Sequence, residues 1–183
     1  QTIKYKGSDH LIYPKLVTGL KCWHLRPESN FFPKQNFYNV VPTVPKGSHI
    51  IFVFGEIDCR EGFVISVQKC RYKDIEEGAT VTVDIYLKVL VELMEKYDYT
   101  IYIHPVIPVI DVTRHIVKVF NKVLRRKVID LGNPKMKWLE FFDSLLTEND
   151  KLKKEYELDG THLNPVYTSL MEKALEKVNE KSQ

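Results

Sequence analysis

Apolar and polar residues follow two different periods along this chain, and the periods predict its secondary structure. Residues 49–54 and 99–104 are almost continuously apolar, which is typical of strands buried on both faces of a sheet. Elsewhere apolar residues recur every three to four positions, as on the buried face of a helix. These patterns predict strands at 49–54, 99–104 and 137–142, and helices at 79–97, 112–126 and 165–178.

The alternation of strand and helix indicates an α/β fold class, in which helices cover both faces of a mainly parallel sheet in three layers. We therefore expect Phe52, Phe54, Ile101 and Ile103 to be almost fully buried on adjacent parallel strands. Two other stretches have different patterns. Residues 2–6 (TIKYK) alternate polar and apolar side chains and predict an edge strand, and the proline-rich residues 26–46 predict a long ordered loop.

Length and composition restrict the class of protein. At 183 residues the chain corresponds to one domain, 1–183. Its 27 basic and 24 acidic side chains leave a net charge of +3, too small for a strong polyanion-binding field, although residues 122–127 are locally basic. No stretch approaches the roughly 18 apolar residues of a membrane span, and the first residues do not resemble a signal peptide. We expect a soluble, intracellular protein of the cytoplasm that does not contact the membrane.

The three cysteines give a second indication of the compartment. Cys22, Cys59 and Cys70 are too few and too scattered for a disulfide framework or a four-ligand zinc site. We expect all three to be unpaired thiols, which fits a reducing, intracellular compartment.

Charged residues crowd the end of the strand at 49–54, in the sequence GEIDCR of residues 55–60. In parallel α/β sheets the ligand crevice lies beyond the carboxyl ends of the strands, so Glu56, Asp58 and Arg60 are candidate binding residues. They are equally compatible with a structural ion-pair cluster that fixes the loop. His104 ends the next strand at the same edge of the sheet, where it is a packing residue or a substrate contact.

A second candidate pair lies in the sequence ELDGTHLNP, just before the last predicted helix. Asp159 and His162 are three residues apart on a turn. A carboxylate in this position can hold one imidazole nitrogen and stabilise the cationic ring, which leaves the other nitrogen free to accept a proton from a nucleophile. The alternative is an aspartate that caps the turn beside an incidental histidine.

Taken together, GEIDCR and DGTHLN resemble the blocks of the SGNH hydrolase superfamily, the GDSL-type esterases and acyl hydrolases. In that family a GxND block ends the third strand and a DxxH block precedes the final helix. The resemblance covers about residues 48–178 and implies an SGNH-hydrolase-like α/β/α fold with a flavodoxin-like sheet. Gly55 and Asp58 match the family's Gly and Asp, whereas Ile57 stands where the family has the oxyanion-hole Asn. An isoleucine cannot donate a hydrogen bond, and Arg60 is the nearest replacement donor.

The resemblance implies hydrolysis or transfer of a small acyl ester, for example a carbohydrate acetyl ester, with no metal and no organic cofactor. His162 would be the general base and then the general acid, and Asp159 would orient it. Gly55, through its backbone N–H, and Arg60 would stabilise the oxyanion. His162 should then lie near Gly55 and Asp58 and form a hydrogen bond with the Asp159 carboxylate. The alternative is a catalytically inactive relative that serves as a protein- or RNA-binding scaffold.

The nucleophile of the family is missing from the sequence. Its Gly-Asp-Ser block belongs to the first, central strand. The most similar stretch here is KGSDH, residues 6–10, in which the residues occur in another order. Three explanations remain: the first strand and its serine precede Gln1, Ser8 serves in a rearranged block, or the chain is a non-catalytic relative. In the first case 1–183 is a single domain that lacks its first strand, and residues 2–6 correspond to the family's second strand at the edge of the sheet.

Overall fold

The computed structural model describes residues 2–180. The described part contains five strands and five α-helices, joined by short 3-10 turns. The strands are β1 (Thr2–Tyr5), β2 (Ser8–Leu11), β3 (His49–Phe52), β4 (Thr100–Ile103) and β5 (Met136–Trp138). The helices are α1 (Phe32–Val40), α2 (Phe63–Gln68), α3 (Ile75–Tyr97), α4 (Arg114–Leu131) and α5 (Thr168–Glu180).

Strands β3, β4 and β5 form a parallel sheet in that order, with β4 in the middle. Successive side chains of β4 enter different cores because neighbouring residues of a strand point to opposite faces. Ile101 and Ile103 pack in a core with α1, α3 and α4, and Tyr102 packs in a second core with α5. The fold is therefore a three-layer α/β/α arrangement with a mainly parallel, flavodoxin-like sheet, as the sequence predicted.

The burial of the two long apolar stretches is mostly as predicted. Ile101 and Ile103 are fully buried and Phe52 is almost so, while Phe54 is only partly buried because it lies beyond the last residue of β3. Within residues 2–180 β3 is an edge strand of the sheet, although its apolar pattern is typical of a strand buried on both faces. An apolar sequence indicates that a strand is buried, but it does not indicate which strand lies beside it.

The amino-terminal stretch forms a hairpin of its own. Strand β1 pairs with β2 in antiparallel register around a turn at Lys6 and Gly7, with φ of +50° and +78°, and does not join the parallel sheet. The Tyr5 hydroxyl lies 2.8 Å from Nδ1 of His49 and 2.7 Å from the Tyr102 hydroxyl. The assignment of residues 2–6 to a strand of the main sheet is therefore wrong, because their backbone groups pair within the hairpin.

The remaining boundaries differ from prediction for local reasons. Helix α3 begins earlier than predicted because the Asp74 side chain accepts a hydrogen bond from the Glu77 N–H at 2.9 Å. The predicted loop 26–46 contains α1, and β5 is shorter than predicted because a 3-10 turn, Phe142–Leu145, follows it. Asn164 caps the 3-10 turn Pro165–Tyr167 that leads into α5.

Two further predictions concern the pairing of the cysteines and the apolar character of the helices. Cys22, Cys59 and Cys70 are all unpaired, as predicted. Within residues 2–180, no helix combines the length and the apolar character that a membrane crossing requires.

Candidate active site

The loop after β3 packs tightly against the carboxyl end of the sheet, and Gly55 makes this possible. Its φ is +104°, a region that side-chain-bearing residues avoid. A Cβ atom at this position would lie 2.6 Å from the Phe120 ring and 2.8 Å from the Val106 side chain. The loop can therefore approach α4 this closely only with glycine. The Gly55 N–H has no hydrogen-bond partner among residues 2–180, and the residue itself is buried.

Asp58 is buried and holds two distant parts of the chain together. Its carboxylate accepts hydrogen bonds from the backbone N–H groups of Cys22 at 2.8 Å and Trp23 at 3.2 Å. Burial raises the pKa of Asp58 to about 6, and the two hydrogen bonds partly oppose that rise. The side chain thus anchors the 3-10 turn Cys22–Leu25 to the loop and does not face the crevice. This arrangement fits the structural alternative, although the partners are backbone amides and not Arg60.

Glu56 and Arg60 form the surface part of the same loop. The Arg60 guanidinium lies 3.6 Å from a Glu56 oxygen and 3.5 Å from a Glu61 oxygen, in and beside the π-helical turn Asp58–Gly62. These are partly exposed ion pairs, so each contributes little to stability. They nevertheless hold the Arg60 head group between two carboxylates, which compete with any oxyanion for its N–H donors.

Asp159 and His162 form the hydrogen-bonded pair that the sequence suggested. Nδ1 of His162 lies 2.8 Å from Oδ2 of Asp159, while Oδ1 accepts from the backbone N–H groups of His162 at 2.8 Å and Thr161 at 3.0 Å. The bond to the His162 side chain is the main cause that lowers the pKa of Asp159 to about 2. Asp159 therefore both closes the turn and orients the imidazole. The ring is exposed, and within residues 2–180 nothing hydrogen-bonds to its Nε2 atom.

The two sequence blocks border one space at the carboxyl end of the sheet. Glu56 and Thr161, the residue before His162, line the same small cavity together with Val109, Thr113 and Val117. No hydrogen bond or ion pair joins His162 to Gly55 or Asp58 within the described residues. The structure thus brings the DGTH turn to the GEIDCR loop, with the imidazole on its outer, solvent side.

Ser8 lies in another part of the molecule. It pairs with Tyr5 across the hairpin turn, and the Tyr5 hydroxyl contacts His49, the first residue of β3. Thr161 and Glu56 lie beyond the other end of β3. In residues 2–180 no hydrogen bond joins Ser8 to His162, and the tight turn at residues 6 and 7 places Ser8 at the tip of the hairpin.

His104 is a buried packing residue at the end of β4. Only 2% of its surface is exposed, and its ring meets Phe141 and Tyr167 edge-on at centroid distances of 4.9 Å and 5.7 Å. Its Nδ1 lies 2.6 Å from the Pro105 carbonyl, which can only accept, so Nδ1 carries the proton. Burial lowers the pKa of His104 to about 4, and the ring is neutral at pH 7. Its Nε2 atom has no hydrogen-bond partner among the described residues.

Several contacts of the site could not be found from the sequence. The amides of Cys22 and Trp23 that bind Asp58, and Tyr167 against His104, come from distant segments without a motif. No group of three or more His, Cys, Asp or Glu side chains within residues 2–180 is placed to hold a metal ion.

Comparison with known proteins supports the fold. No family model and no curated protein matches the sequence. The structure is similar to a protein from Streptococcus pneumonia described as a "putative platelet activating factor", with a TM-score of 0.51 and 17% identity over 71% of this chain and 58% of that chain. It is also similar to the OSK domain of Drosophila Oskar, with a TM-score of 0.48 and 15% identity over 75% of this chain and 64% of that chain.

Both matches leave more than a third of the other chain uncovered, and this chain spans 58% of the length of the streptococcal protein. At 17% identity the likeness concerns the fold alone. Together with the strand order and the two cores, it defines the class as a three-layer α/β/α protein with a mainly parallel sheet.

Proposed function

We propose that the protein is an SGNH-type ester hydrolase or acyl transferase that acts on a small acyl ester, such as an acetyl ester of a carbohydrate. The observation that supports this function is the Asp159–His162 pair, joined at 2.8 Å beside the GEIDCR loop. That distance lies within the range of a general base and the carboxylate that orients it. The exposed Nε2 atom leaves room for a nucleophile and a substrate.

The proposed mechanism assigns one step to each group. His162 accepts the proton of a serine hydroxyl through Nε2 as that hydroxyl attacks the ester carbonyl, and then returns the proton to the departing alcohol. Asp159 keeps the proton of Nδ1 in place and stabilises the imidazolium. The free N–H of Gly55 and the guanidinium of Arg60 are the proposed donors to the oxyanion. Water then hydrolyses the acyl-enzyme with His162 as the base.

The serine is assigned to a part of the protein that precedes Gln1. Ser8 is the remaining candidate within the chain, but its place at the tip of the β1–β2 hairpin would require the hairpin to move past the length of β3. No hydroxyl hydrogen-bonds to the His162 ring among residues 2–180, so the proposed activity requires a serine from outside the described residues.

A second candidate function is a catalytically inactive scaffold that binds a protein or RNA. Three observations favour it. Ile57 offers no side-chain donor, the Asp58 carboxylate is used within the fold, and Glu56 and Glu61 compete for Arg60.

An ester-hydrolysis assay separates the two functions. The intact protein is assayed on a short-chain aryl ester beside His162→Ala, Asp159→Asn and the control His115→Ala, which removes an exposed histidine of α4. We expect His162→Ala to lower kcat/KM by about 100-fold or more, the usual contribution of a general base, and His115→Ala to leave it unchanged. Equal rates for wild type and His162→Ala would exclude His162 as the base. Failure of wild type to hydrolyse a panel of acyl esters would favour the scaffold.

A further inference from the structure

The small cavity between the GEIDCR loop and the DGTH turn has a polar mouth and an apolar interior. Glu56 is half-buried and Thr161 is exposed, so these two residues mark the mouth. Val109, Thr113 and Val117 are exposed by 9% or less and mark the interior. The volume is about 10 Å³, which leaves room for one group of about the size of a water molecule. The cavity is therefore a narrow slot beside the proposed reaction site.

The position of the cavity relates it to one part of an ester. Thr161 directly precedes His162, the proposed base, and Glu56 belongs to the loop that carries Arg60, a proposed oxyanion donor. A carbonyl carbon held between this base and this donor would point one of its two substituents into the cavity. The hydroxyl groups of a carbohydrate would find no hydrogen-bond partner against buried valines, whereas a methyl group needs none. The cavity thus fits the acyl side of the ester and not the alcohol side.

One wall of the cavity, residues 105–109, is held in place by side chains of α4. Within residues 2–180 this stretch makes no hydrogen bond between backbone groups. Instead Oδ1 of Asn121 accepts from the Val106 N–H and Nδ2 donates to the Val106 carbonyl, both at 2.9 Å. Nε of Arg114 donates to the Pro108 carbonyl at 2.9 Å. Asn121 and Arg114 are both buried, so the wall cannot move without leaving buried polar groups unpaired.

The packing behind this wall also prevents the cavity from enlarging. Val106 is only 3% exposed, and a Cβ atom built on Gly55 would lie 2.8 Å from its side chain. Val117, at the bottom of the cavity, belongs to the same core as Val106 and Phe120. Close-packed residues of this kind yield little to an added methylene group. A small, stiff apolar cavity discriminates by size, because one methylene more or less changes the rate by about 10- to 200-fold.

We propose that this cavity is the acyl pocket of the site and that it limits the acyl group to acetyl. The inference rests on the proposed ester hydrolysis and adds to it the residues that set the length of the acyl group. The acetyl methyl group contacts Val109 in the wall and Val117 at the bottom, while the alcohol part of the ester stays outside, on the side of the exposed Thr161. A butyryl chain does not fit unless Val117 or the wall moves.

Aryl esters that differ only in the acyl chain test the proposal. We measure kcat/KM of the intact protein for the acetate and the butyrate, beside Val117→Ala and the control Val123→Ala. Val117 and Val123 are both buried on α4, at 3% and 1% exposure, but only Val117 lines the cavity. Wild type should prefer acetate by about 10-fold or more, and the butyrate-to-acetate ratio should rise at least about 10-fold in Val117→Ala alone. An unchanged ratio in Val117→Ala would overturn the proposal.

A second variant changes the pocket in the opposite direction. The additional methyl group of Val117→Ile would fill the cavity, so kcat/KM for the acetate should fall about 10-fold relative to the formate, which carries no carbon beyond the carbonyl. A general loss of stability would instead lower the rates for both esters alike, and that result would contradict the pocket.

The same measurements separate this inference from the proposed function. If wild type hydrolyses none of the esters, the proposed function is wrong and the acyl pocket with it. If wild type hydrolyses the acetate and the butyrate at equal rates, ester hydrolysis stands and the limit to acetyl is wrong.

Discussion

Replacing Gly55 with alanine should be among the most damaging single changes in the chain, for two reasons that the structure separates. The first is the backbone: a φ of +104° is unfavourable for alanine, at a cost of about 1–2 kcal/mol. The second is space. The new methyl group would lie 2.6 Å from the Phe120 ring and 2.8 Å from Val106. Both residues are buried in the core, so neither can move away freely.

Forcing a methyl group into a packed core costs about 1–3 kcal/mol, so the free energy of unfolding should fall by about 2–5 kcal/mol in Gly55→Ala. For a domain of this size that corresponds to a melting temperature lower by roughly 5–15 °C. The loop that carries the Gly55 N–H and Arg60 would shift with it, so the proposed ester hydrolysis should fall as well.

Urea unfolding followed by tryptophan fluorescence measures this change, and Gly132→Ala is the control. Gly132 has a φ of +60° at the end of α4, but a Cβ there would meet nothing within 4 Å. It therefore carries the backbone cost without the steric cost, about 1 kcal/mol. If the free energy of unfolding decreases equally in the two variants, Gly55 does not lie as close to Phe120 as the structure shows.

Two further predictions concern buried groups. Because the pKa of Asp58 is raised to about 6 in the folded protein, the folded state keeps a proton there that the unfolded state loses near pH 4. The free energy of unfolding should thus fall by about 2 kcal/mol as pH rises from 4 to 7, and Asp58→Asn should lack this part of the slope. An unchanged slope in the variant would contradict the assignment. Native protein should react with a thiol reagent at Cys70 alone, and at Cys22 and Cys59 only after denaturation; rapid labelling of all three thiols in the native state would refute their burial.

The site was predictable to the extent that its residues are neighbours in sequence. Asp159 and His162 are three residues apart, so the turn that joins them is a local property, and their hydrogen bond is present in the structure. The use of Asp58 could not be foreseen in this way. Its partners are 36 and 35 residues away, and whether its carboxylate faces a crevice or a backbone amide depends on where the turn at Cys22 packs.

The edge position of β3 shows the same limit at the level of the fold. The apolar run at 49–54 correctly indicates a strand with an apolar environment, but β3 has a neighbour on only one side within residues 2–180. The hairpin of β1 and β2 leaves the main sheet because Lys6 and Gly7 adopt a tight turn, which the alternating pattern of TIKYK does not exclude.

By itself the sequence determined the class of fold, the parallel strands with their buried residues, the unpaired cysteines and the Asp159–His162 turn. These follow from periodicity, composition and contacts between near neighbours, and all three can be obtained from the amino-acid sequence directly. Only the tertiary structure decided that β3 is an edge strand within residues 2–180, that Asp58 is an interior anchor and that Ser8 lies away from His162. Each of these depends on which distant segments pack together, and hydrophobic patterning specifies burial without specifying the neighbour.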